Sequence, residues 1–168
     1  MTQYIRDVDV ETFAREPSGL ALVVSAESAQ GTSGGYHGER LLLSEAGADA
    51  LQAAMHVAHS AEPGSLRAQA TELIATLSLG FLAAESYGLD PGHVPQLHAK
   101  FPDDDSLLFE WILPNFRLGF GLEKDRSQSS WFLVTDETLG NISSSGYLSG
   151  IELQKLILWL MGFLVQHS

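Results

Sequence analysis

Hydrophobic residues follow different patterns in different parts of the chain. Between 44 and 88 they recur every three to four positions, between 106 and 135 they alternate, and near 151–165 they crowd together. The first pattern predicts helices. Ser44 is a capping residue ahead of a helix running to about Ser60, with Leu51, Met55 and Ala58 on one face. Glu62-Pro63-Gly64-Ser65 breaks it. A second helix is expected from Leu66 to about Tyr87, where Leu66, Ala70, Leu73, Ile74, Leu77, Phe81 and Ala84 form a stripe at the helical period. Gly88 stands where a left-handed cap is wanted, and Pro91 prevents continuation. Two helices joined by so short a turn pack as antiparallel neighbours.

The alternating pattern predicts strands. In 106–113, Leu107, Phe109, Trp111 and Leu113 share one face, and Leu108, Glu110 and Ile112 the other. Pro114-Asn115 is a turn. In 116–123, Phe116, Leu118, Phe120 and Leu122 oppose Arg117, Gly119, Gly121 and Glu123. Proline cannot take the positive φ of the tightest hairpins, which points to a four-residue loop, but two or four residues pair the same positions. Lys124–Ser130 is a polar loop, Trp131–Thr135 a third strand and Ile142–Leu148 a weaker fourth, in an antiparallel meander. Upstream, Leu20–Val24 reads as a short strand and Gly31–Gly38, with four glycines, as a flexible loop. Leu41-Leu42-Leu43 is a second short strand or the approach to a helix.

The last segment opens on a capping box, Ser149-Gly150-Ile151-Glu152. From Ile151 to Val165 the helix is apolar on nearly all sides, with Gln154 and Lys155 the main exceptions. Such a helix has to be buried on more than one side. Leaving its large side chains in water costs about 1.5–3 kcal/mol each. Its second side meets either the helix pair, giving a three-layer monomer, or another polypeptide, most simply a second copy across a two-fold axis. Leu156, Trp159, Leu160 and Phe163 are the candidate interface residues. The fold class is α+β: one domain over 1–168, with an antiparallel meander of three to five strands packed against an N-terminal helix pair and a C-terminal helix.

Composition narrows the function classes. With 168 residues, 45% hydrophobic and 18% charged, the chain is globular and long enough to bury a core. Its 21 acidic and 9 basic residues give a formal charge of −12, and the basic residues form no stripe. Nucleic acid and anionic lipid would repel it, so neither is expected as a partner. The absence of cysteine excludes disulfides, thiolate metal sites and a cysteine nucleophile. Met1–Asp7 lacks a signal-peptide pattern, and the longest apolar run, Leu156–Val165, falls short of the roughly 18 residues a membrane span needs. A cytoplasmic protein without a membrane anchor is expected.

Three constellations could carry chemistry. On the polar side of the first hairpin, Glu110 lies opposite Gly119 and diagonal to Arg117, with Glu123 further along. Two carboxylates and an arginine over a glycine floor could bind a ligand or divide acid and base roles. An ordinary surface salt bridge has the same sequence signature. Trp111 and Trp131 could line such a pocket or simply be core. Secondly, His56 and His59 share a helix face, but the spacing and the glutamate of the zinc-protease motif are missing. Thirdly, the closing helix offers a docking surface. No nucleophile elbow, phosphate-binding loop or dinucleotide fingerprint is present, and Ser143-Ser144-Ser145 reads as a polar turn or edge strand. No cofactor is expected. The leading expectation is a non-enzymatic protein-interaction module that binds itself as a homodimer or binds another protein. The alternative is a small-ligand binder or enzyme using Glu110, Arg117 and Glu123.

Overall fold

The computed structural model describes the backbone of residues 14–16, 19–23, 40–149 and 153–168, and the side chains of 43–149 and 153–168. The expected loop at 31–38, Val24 and three of the four capping-box positions, 150–152, lie outside the described residues. The architecture is α+β. A small antiparallel sheet of β1 (Ala14–Glu16), β2 (Gly19–Val23) and β3 (Arg40–Leu42) precedes the helix pair α1 (Glu45–Ser60) and α2 (Ser65–Ser86). A five-stranded antiparallel meander follows: β4 (His98–Asp103), β5 (Ser106–Ile112), β6 (Phe116–Glu123), β7 (Ser130–Thr135) and β8 (Ser143–Tyr147). Helix α3 (Leu153–His167) closes the chain. Among the described residues, no helix is long and apolar enough to cross a membrane.

Local chemistry sets the helix ends. The Ser44 hydroxyl accepts the Gly47 amide at 3.1 Å and caps α1. The Arg67 guanidinium donates to carbonyls at the C-terminal end of α1, reaching His59 at 2.6 Å and the capping residue Ala61 at 2.7 Å. Gly88 takes φ +79° just past α2, a conformation that costs glycine nothing. Helix α2 buries more than its predicted stripe. Gln69, Ala75, Ser78 and Gly80 are also covered, because α2 meets the sheet on one side and α3 on another.

The meander puts Leu107, Phe109, Trp111, Phe116, Leu118, Phe120, Leu122, Trp131 and Leu133 on one buried face. Trp111 meets Phe81 of α2 edge-to-face at 6.2 Å, and its indole N–H donates to the Pro95 carbonyl at 3.0 Å. The β5–β6 register is the expected one, with Glu110 opposite Gly119 and Ile112 opposite Arg117. The Leu113 amide donates to the Phe116 carbonyl across the turn at 2.9 Å.

The helices form a single layer on that buried face. Helix α1 lies beside β4, where the Leu97 amide donates to the Ala50 carbonyl at 2.7 Å. Helix α2 lies over β5 and β6, and α3 packs on the far side of α2. A Cβ at Gly80 would collide with Met161 and crowd Ile157, so glycine permits the close α2–α3 crossing. Half a turn further along α3, Phe163 packs on Phe116 of β6 at 5.2 Å. Ile157, Leu160, Met161 and Leu164 are buried, whereas Leu158 and Trp159 are 46% and 54% exposed. Among the described residues, two sides of this apolar helix are covered and a third stays exposed.

Candidate functional site

The outer face of the meander carries the first expected cluster. Glu110 is only 2% exposed, although among the described residues no helix lies over this face. Three neighbours account for its burial. Phe132, paired with Gly119 in the next strands, lays its ring over that glycine, leaving no room for a Cβ there. Lys100 and Arg117 close in from the flanking strands. The Lys100 ammonium donates to Glu110 Oε1 at 2.9 Å, and the Arg117 guanidinium donates to Oε2. Burial pushes the Glu110 carboxyl pKa up. The hydrogen bonds and charges of Lys100 and Arg117 more than offset it and hold the pKa below the usual carboxylate value. Both cations keep more than half of their side-chain surface in water.

The remaining members of this group are elsewhere. Glu123 sits at the far end of β6 opposite Ser106 and, among the described residues, joins neither ion pair. Its backbone belongs to a buried polar knot. The Glu123 amide donates to Ser129 Oγ at 3.0 Å, that hydroxyl donates to Gln69 Oε1 at 3.0 Å, and Gln69 Nε2 donates to the Glu123 carbonyl at 2.9 Å. The knot ties α2 to the β6–β7 loop. Its visible sign in the sequence is Gln69, a polar residue beside the apolar stripe of α2. Trp111 and Trp131 lie on the opposite, helix-covered face from Glu110. Trp131 lies over Gly146 of β8, and its buried indole N–H has no hydrogen-bond partner among the described residues.

His56 and His59 are both exposed on α1, and no group of three metal-binding side chains occurs among the described residues. An open hollow of about 570 Å³ at the ends of α1 and α2 is lined by Glu45, Asp49, Glu85 and Asp90. Two of these are already engaged, since the Ser44 hydroxyl donates to the Glu85 carboxylate and the Gly92 amide to Asp90 Oδ1 at 2.8 Å.

The third cluster is the exposed side of α3, where Leu158 and Trp159 keep about half of their surface in water. At 100° per residue, Trp159 points about 180° away from the Ile157 and Met161 side that meets α2. It therefore faces the β8 side of the molecule. Trp159 and Phe163, four residues apart, have ring centres 6.1 Å apart, and His167, another four on, is 4.5 Å from Phe163. Leu156 is half-buried beside them, while Leu160 is fully buried and belongs to the core. The result is an aromatic row with one flank anchored on Phe116 and the other in water. No Asp or Glu occurs anywhere in α3.

No protein-family model, no curated protein and no solved structure matches the chain.

Proposed function

We propose that this protein is a non-enzymatic protein-interaction module that works as a homodimer, with the aromatic side of α3 as the contact surface. The observation that carries the proposal is the position of Trp159: over half exposed, directed away from its own core and continuous with the half-buried Phe163 and Leu156. Burying an aromatic side chain on association contributes on the order of 1.5–3 kcal/mol, and tryptophan is enriched among residues that dominate interfaces. Charge favours the same surface. Two chains of −12 repel each other least where neither presents a carboxylate, and α3 presents none. The proposal takes the protein to be cytoplasmic, and its cysteine-free composition suits a reducing compartment.

The ligand-binding or enzymatic alternative has less support. Both oxygens of Glu110 are engaged, and Phe132 occupies the space above Gly119 where a ligand would sit. Light scattering at tens of micromolar tests the leading proposal. The expected mass is that of two chains; the mass of one chain at every concentration would reject it.

A further inference from the structure

The two edges of the meander are built differently. The β4 edge carries Lys100, Pro102 and Asp103, and its pairing with β5 shifts register between Lys100 and Asp103. Charge, proline and irregularity are the devices that keep a sheet edge from pairing with another chain. The β8 edge has none of them. Ser143-Ser144-Ser145-Gly146-Tyr147 contains no charge and no proline, and it pairs with β7 at five consecutive positions without a shift. Among the described residues no strand lies beyond it.

The ladder shows which backbone groups this edge presents. The Thr135 amide donates to the Ile142 carbonyl and the Leu148 amide to the Ser129 carbonyl, each at 2.8 Å. Antiparallel pairing alternates, so residues of that parity (142, 144, 146 and 148) direct their backbone groups to β7. Ser143, Ser145 and Tyr147 direct theirs outward.

We infer that β8 pairs antiparallel with β8 of a second copy about a two-fold axis at Ser145. This joins the two meanders into one continuous sheet and brings the α3 aromatic rows together on its helix-covered side. The inference rests on the homodimer reading and specifies its geometry. Symmetry about Ser145 sets Ser145 against itself and Ser143 against Tyr147 of the second copy, so outward amides meet outward carbonyls at every position. Ser144, a small residue on the helix-covered side, leaves room there for Trp159, while Gly146 accommodates the Trp131 indole. The half-exposed Ile142 extends the row of Phe116 and Thr135, where Phe163 docks. A second copy suits this surface better than a basic partner, because neither β8 nor α3 offers a carboxylate to attract one.

The test is sedimentation equilibrium of the full chain and two variants. Ser145→Pro removes an outward N–H and no bond to β7, a position where an edge strand tolerates proline. Losing the symmetric pair of hydrogen bonds should weaken the dimer about ten- to a hundredfold. Ser145→Lys leaves the backbone intact and sets two lysines directly opposite each other, for a loss of about fivefold. It also makes the chain less acidic, which would strengthen a dimer joined anywhere else. Weakening by both variants supports the joint. A wild-type dimer that both variants keep at full strength overturns the β8 joint while leaving the α3 homodimer standing. A wild-type monomer overturns both. Hydrogen exchange gives an independent readout: the Ser145 and Tyr147 amides should be protected at high protein concentration and lose protection on dilution, and exchange that ignores concentration overturns the joint.

Discussion

Glu110 and Trp159 are each on the wrong side of the usual rule, in opposite ways. Glu110 is a carboxylate 2% exposed, and Trp159 is the largest apolar side chain, 54% exposed. Glu110 is nevertheless satisfied. Lys100 and Arg117 take one oxygen each, and the Phe132 ring closes the space beside it. Trp159 is not satisfied: its ring meets Phe163, but over half of the residue stays in water. A buried charge with all its partners is a finished piece of structure. An exposed aromatic row with an anchored flank and an open flank still has burial to gain. The contrast is why the functional proposal follows the helix and not the ion pairs.

Four variants would break or sharpen that contrast. The largest effect is expected inside the core. Trp111→Ala should lower the stability of the single chain by about 3–5 kcal/mol, measured by urea unfolding, because it empties a fully buried site packed against Phe81. Gly119→Val comes next, at roughly 1–3 kcal/mol, since its side chain must displace the Phe132 ring that shields Glu110. If Gly119→Val costs nothing, the account of how Glu110 is buried is wrong.

The third prediction concerns pH. The folded-state pKa of Glu110 lies below its value in the unfolded chain. The group therefore contributes stability above the unfolded pKa of about 4.3, and the contribution is lost as pH falls through the lower folded value. Removing both cations, as Lys100→Ala with Arg117→Ala, takes away both partners that lower the pKa and opens the carboxyl to water, so the folded pKa moves back up toward the unfolded one. The acid-side loss of stability at this site should then disappear. The difference should be on the order of 1 kcal/mol, read as the change in urea midpoint between pH 7 and pH 4 in the two proteins. Smallest is Trp159→Ala, which should move the stability of the isolated chain by no more than about 0.5 kcal/mol at a concentration low enough to keep it single. A loss as large as that of Trp111→Ala would show that Trp159 is core.

Much of this contrast was legible in the residues, and the missing parts have physical causes. The alternation of β5 and β6 placed Glu110 opposite Gly119 and diagonal to Arg117, because strand parity leaves only one choice once a face is buried. Lys100 was not legible. Strand β4 is mostly exposed, so no burial imposes an alternation on His98–Asp103, and Pro102 argues against a strand. The knot of Gln69, Ser129 and Glu123 joins residues up to 60 positions apart, beyond the reach of any local pattern. Trp159 and Leu160 were indistinguishable because α3 is apolar all round. Which side faces inward is decided by the close crossing at Gly80 and the Phe116–Phe163 contact, both properties of the packed molecule.

The most direct test is a paired sedimentation run on the wild type and Trp159→Asp, with circular dichroism to show that the variant keeps its fold. An interface built on the open side of α3 predicts a two-chain mass for the wild type and a one-chain mass for the variant at the same concentration. Equal masses for the two proteins would contradict it.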